Sequence, residues 1–210
     1  METQTFKTLE NSFVDYKRQS GARGYVGCFG KTFVPEEHID FALAREVGAQ
    51  IVANDFGVIH GGYIGIMKAV SLGADEAIKS DGLKNKYWNI GVPFAVFDNE
   101  LPRAAEINLP PASDLLDRIK ALLTFCDACI VLPSAGFGTL AEVVLLFHLN
   151  QLAEKFSLDK PKPMLLLGLK WKSLFQNLYE MLDMTKQSRD EGFISFGTTI
   201  ADAQTFFKKI

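Results

Sequence analysis

Short apolar runs, each followed by a longer stretch with helical spacing, constrain this chain more than any other feature. The clearest are "GYVGCFG" (24–30), "VIH" (58–60), "IGVPFAV" (90–96), "EIN" (106–108), "ACIVLP" (128–133) and "PMLLLGL" (163–169). Between them, apolar residues recur with a period near 3.6, which predicts helices at about 64–78, 113–125 and 172–184. Further helices are expected at about 6–18, from Pro35 onward, after Thr139, and from about Ala201. The polar stretch "KSDGLKNKYWN" (79–89) reads as a loop. Strand and helix alternating in this way form βαβ units, because parallel strands need a crossover between them.

The predicted class is therefore α/β: a Rossmann-like, doubly wound, mostly parallel sheet with helices on both faces. The 210 residues suit a single nucleotide-binding domain, 1–210, with 1–22 as an N-terminal helical extension. A net charge of -3 with no basic block argues against nucleic acid as a partner. No apolar run is long enough to cross a bilayer, and the first residues lack the apolar core of a signal peptide. A cytoplasmic protein with no membrane partner is the expectation.

Three cysteines and three histidines are too few for a disulfide framework or a zinc module. Cys126 and Cys129 form a C-x-x-C, but it opens a strand pattern rather than a helix, so both are read as core residues. His38 and His148 fall in helical patterns and are read as structural or surface residues. No metal site and no cofactor is expected.

Function is sought at two glycine-rich junctions, "IHGGYIG" (59–65) and "PSAGFGT" (133–139), where a strand ends and a helix begins. Helix N-termini expose unpaired N–H groups and partial positive charge, and glycine lets an anion approach them. Neither junction is a Walker A loop or the G-x-G-x-x-G dinucleotide fingerprint. Thr139 and Glu142 have the T-x-x-E spacing of a capping box. A glutamate in a first helical turn is expected to stay ionised, suited to stabilising a cation or orienting water rather than donating a proton.

"HGGYIGIM" followed by "DLLDRIKALLTFCDACIVLPSAGFGTLAEV" resembles the LONELY GUY family of phosphoribohydrolases acting on nucleoside 5′-monophosphates. The resemblance runs from about Tyr25 to the end of the chain, including "DEGFIS" (190–195). It implies that Gly61, Gly62 and Gly65 match the first glycine segment, and that Gly136, Gly138 and Thr139 form the end of the phosphate loop. It implies that Arg118 and Glu142 are the catalytic pair. His60 stands where the first glycine of the family's triple falls and is a candidate contact to phosphate or base. Ser134-Ala135 lengthen the second loop by one residue, with Ser134 a further candidate. Ile119 replaces the motif lysine, with Lys120 about 100° further round the helix. Ala141 replaces an acidic residue, and Leu115-Leu116 replace a Met-His pair.

The implied reaction is hydrolysis of the N-glycosidic bond of an AMP-like nucleoside 5′-monophosphate, through an oxocarbenium-like ribosyl cation. The alternative is a non-catalytic carrier or sensor of the same fold, binding a nucleotide or the molybdenum cofactor. The family also implies a homodimer or higher homo-oligomer, with the apolar helix 143–156 as an interface or, equally, as core.

Overall fold

The computed structural model describes residues 3–83, 87–157, 160–184 and 192–210. Seven strands form one sheet: β1 (Gly24–Phe29), β2 (Phe56–His60), β3 (Asn89–Gly91), β4 (Ile107–Asn108), β5 (Ala128–Val131), β6 (Met164–Leu167) and β7 (Ile194–Gly197). Every pairing is parallel, in the order β4-β3-β2-β1-β5-β6-β7. The helices among the described residues are α1 (Gln4–Ser20), α2 (Ile39–Ala53), α3 (Ile66–Ser80), α4 (Leu115–Phe125), α5 (Phe137–Phe156), α6 (Leu169–Met181) and α7 (Ile200–Phe207). None of them is long and apolar enough to cross a membrane.

The side-chain period of two builds a core on each face. Tyr25 and Phe29 of β1, Cys129 and Val131 of β5, and Met164 and Leu166 of β6 join the layer of α1, α4, α5 and α6. The intervening Val26, Cys28, Ala128, Ile130, Leu165 and Leu167 join the opposite layer of α2, α3 and α7. Strands buried on both sides read as continuous apolar runs, which is why they were legible. The stretch expected as an N-terminal extension packs as α1 on α4, where the Phe13 ring stacks on Phe125 with centroids 4.5 Å apart.

Several boundaries move for identifiable reasons. The strand expected at 90–96 stops at Gly91, because Pro93 brings no N–H and the Tyr63 hydroxyl takes over the backbone of Phe94. The chain then turns through a 3₁₀ segment at Ala95–Phe97. Helix α2 begins at Ile39 rather than near Pro35, since His38 Nδ1 accepts from Asp40 N and caps it. Strand β7, absent from the expected elements, is four half-buried residues at the sheet edge, too short for the alternation of Ile194, Ser195 and Phe196 to stand out. Residues 84–86 of the expected loop, and 190–191 of "DEGFIS", lie outside the described residues.

Candidate functional site

The strand order reverses between β1 and β5, so a crevice opens beyond their carboxyl ends, where open α/β sheets bind ligands. The loops that border it follow β1 (Gly30 to Phe33), β2 (from Gly61) and β5 (Leu132 to Gly136). They enclose a cleft of about 380 Å³. Of the residues singled out in the sequence, Gly61, Arg118, Gly136, Gly138, Thr139 and Glu142 all line it. Lys31, Thr32, Tyr63, Met67 and Phe97 line it too. Lys31 could have been noticed, since it follows Gly30 directly at a strand end. Phe97 could not, because it directly follows a stretch that reads as strand, with nothing to announce the turn.

The helices divide by how they begin. Side chains cap α1 (Thr3), α2 (His38), α4 (Asp114) and α7 (Thr199). Helices α3, α5 and α6 start instead on Gly65, Gly136 and Gly168, with no side-chain cap. All three follow the carboxyl end of a strand; the first N–H of α3 is taken by Lys31 O at 3.1 Å, whereas those of α5 and α6 have no side-chain acceptor. The capping box expected from Thr139 and Glu142 does not form. Helix α5 starts at Phe137, which puts Thr139 inside the first turn, buried, and Glu142 in the second.

Two glycines are required by their surroundings. At Gly61, a Cβ would lie 2.5 Å from Arg118 Nη2 and 2.6 Å from Met67 Sδ. At Gly65, φ is +75° and a Cβ would collide with the Thr32 carbonyl. Gly62 also has positive φ, and the residues on either side of it, Gly61 and Tyr63, line the cleft. By contrast, a Cβ at Gly136 or Gly138 would meet nothing within 4 Å, so those two leave room rather than relieve a clash.

The Arg118 guanidinium is buried. Its Nε donates to Val92 O and its Nη2 to Gly61 O, each at 2.9 Å, so it clamps the loops after β2 and β3. Burial lowers its pKa and Glu142 raises it. Burial pushes the Glu142 carboxyl up to about 7, with the Arg118 charge opposing the rise. The expectation of a fixed carboxylate is thereby corrected. The helix-end field fades within one turn, and Glu142 sits beyond it in a desolvated position. Among the described residues no donor hydrogen-bonds its carboxyl.

His60 is buried, and both of its ring nitrogens face protein partners. Its Nδ1 accepts from Gly62 N at 3.0 Å, which leaves the proton on Nε2 to be donated to Asn89 Oδ1, also at 3.0 Å. Asn89 in turn donates to Ser71 Oγ and Asp75 Oδ1. Complete burial lowers the His60 pKa to about 4, and the nearby Arg118 lowers it further. Ser134 is drawn away from the cleft as its Oγ donates to Asp40 Oδ2 at 2.6 Å, tying the loop to α2. Lys120 lies over the Phe6 ring, 3.6 Å from its centroid, on the far side of α4. Leu115 borders the cleft, whereas Leu116 points to solvent. Cys126 and Cys129 are buried core residues whose thiols burial pushes up. Among the described residues no group of three His, Cys, Asp or Glu could hold a metal ion.

A family model described as the SLOG cluster4 family matches residues 23–187. Among solved structures, the chain is similar to the molybdenum cofactor binding protein from the phototrophic bacterium Rippkaea orientalis. Identity is 22%, over 89% of this chain and 96% of that one, with a TM-score of 0.64. It is also similar to the molybdenum cofactor carrier protein of Chlamydomonas reinhardtii, at 22% identity over 89% of this chain and 96% of that one, with a TM-score of 0.61. At such identity the likeness is one of fold. No curated protein matches the sequence.

Proposed function

Because the chain belongs to the SLOG cluster4 family, we propose that its cleft binds a phosphorylated heterocyclic small molecule and holds it as a carrier or sensor. The ligands that fit this reading are a nucleoside 5′-monophosphate and the molybdenum cofactor. One observation carries it: the uncapped, glycine-started N-terminus of α5 opens into the same cleft as Arg118 and Glu142. The phosphate would take the first-turn N–H groups of α5 and the Thr139 hydroxyl, with the Lys31 ammonium alongside. Glu142 would meet an N–H or O–H of the ligand. The cited structures are named as molybdenum cofactor proteins, which supports cargo binding. Lacking a metal-ligating cluster among the described residues, this chain would grip such a cargo by its phosphate-bearing organic part.

The carboxyl of Glu142, at about 7, favours binding over turnover. An oxocarbenium-like transition state calls for a fixed negative charge, and desolvation works against that charge at Glu142. The same value supports a second reading, N-glycosidic hydrolysis in the manner of the LONELY GUY family. In it the protonated Glu142 gives its proton to the departing base as the N-glycosidic bond breaks, water adds to the anomeric carbon, and the water's proton returns to the Glu142 carboxylate. Calorimetry with AMP, alongside chromatography for free adenine, separates the two. The expected result is binding without base release; release that stops in Glu142→Gln would establish the hydrolase instead. Gly138→Asp is expected to weaken AMP binding by about tenfold or more, since it sets a carboxylate against the phosphate. The fold should tolerate it, because a Cβ there meets nothing within 4 Å. Unchanged affinity would remove the phosphate from α5.

A pairing of two copies belongs to the same proposal. The inner side of α5 is core, with Val143, Leu146 and Phe147 buried, but Val144, Leu145, Leu149 and Phe156 remain exposed along its other side. Sedimentation is expected to show a dimer that Leu145→Glu with Leu149→Glu converts to a monomer of unchanged melting temperature. A wild-type monomer would end this part of the proposal.

A further inference from the structure

A second groove, of about 500 Å³, lies across the 133–137 loop from the cleft, between the first turns of α5 and α6. Lys31 and Gly136 line both spaces, so the two adjoin at the loop. The groove is built for a planar, apolar group. The side chain of Trp171 is buried in its wall, pinned by Nε1 donating to Leu132 O at 3.2 Å, and Leu140 adds an aliphatic surface. The Phe137 ring stands 92% exposed at its edge. The charge is one-sided: Lys31 and Lys170 line the groove and no carboxylate does. Both flanking helices begin on glycine without a side-chain cap.

We propose that the ligand is of the dinucleotide class, two heteroaromatic groups joined through a pyrophosphate, straddling the 133–137 loop. This rests on the reading that the Arg118–Glu142 cleft takes a phosphorylated heterocycle, and it adds the second half of the molecule. The pyrophosphate crosses at Gly136, where no side chain stands in the way, and Lys31 neutralises it from beside both spaces. The second ring lies against Phe137, and Lys170 closes the far rim. A mononucleotide fills the cleft and leaves the groove empty.

The test is calorimetry of the full chain with AMP, ADP and diadenosine 5′,5′-diphosphate. Stacking one base on an aromatic side chain is worth about 1–3 kcal/mol, so the dinucleotide is expected to bind about fivefold or more tighter than ADP. Phe137→Ala with Lys170→Ala should bring the dinucleotide back to the affinity of ADP while leaving AMP unchanged. Phe137 is so exposed that the variant is expected to melt with the wild type, which the same samples can verify. A dinucleotide no tighter than ADP, with AMP still bound, overturns the two-part ligand and leaves the cleft reading standing. Equal weakening of AMP and dinucleotide in the double variant also overturns it. Binding of none of the three overturns both.

Discussion

Glu142→Gln is expected to stabilise the fold at pH 8 by about 3 kcal/mol and to expose a steep loss of stability in acid. The carboxyl rises from 4.5 to about 7 on folding, so the fold gains most from Glu142 below 4.5, where it is protonated in both states. That contribution, about 3 kcal/mol from the size of the shift, is lost as pH rises through 7. His60 does the reverse. Its pKa falls from 6.5 to about 4, so its contribution is complete above 6.5 and is lost as pH falls through 4. Between 4.5 and 6.5 the two slopes oppose and nearly cancel. Glutamine keeps the shape and removes one of them. Urea denaturation of both proteins from pH 4 to 8 reads the difference, in which all other titrating groups drop out. A difference that does not change with pH would mean that Glu142 is not desolvated in the folded chain.

Gly61→Ala is expected to cost about 2–4 kcal/mol of stability and to abolish ligand binding. The added Cβ, 2.5 Å from Arg118 Nη2, competes for space with a group that is held at two of its three nitrogens by carbonyls. A flexible side chain would normally yield cheaply. This one cannot withdraw without leaving its charge, Gly61 O and Val92 O unpaired in a buried place. The carboxyl of Glu142 would then lose its opposing charge and rise further. Gly138→Ala is the control, since its Cβ meets nothing and alanine suits a helix better than glycine by about 1 kcal/mol. Thermal melts of the two variants should therefore move in opposite directions. A Gly61→Ala protein as stable as wild type would show that the Arg118 clamp is not needed.

How much of the site could be read beforehand depends on how local each property is. Gly61, Gly136 and Gly138 announce themselves because glycine at a strand-to-helix junction is a statement about neighbouring backbone. Arg118 and Glu142 stood out by resemblance and by spacing, and the fold brings both to one cleft. His60 and Ser134 had the same credentials in sequence, yet both turn to partners distant in the chain, Asn89 and Asp40. Lys120 was one residue from the motif position, and on a helix that offset places it over Phe6 instead.

The sequence by itself determined the α/β class, the central strands, the helices between them and the two glycine junctions. Each of these follows from periods of 2 and 3.6 and from the backbone freedom of single residues, which are properties of a short window. The tertiary structure alone decided the strand order that opens the crevice between β1 and β5, the edge strand β7, the glycine starts of α5 and α6, and the second groove. It also decided the direction in which the Glu142 and His60 pKa values move. Burial sets those pKa values, and burial is the sum of what distant segments bring to one point.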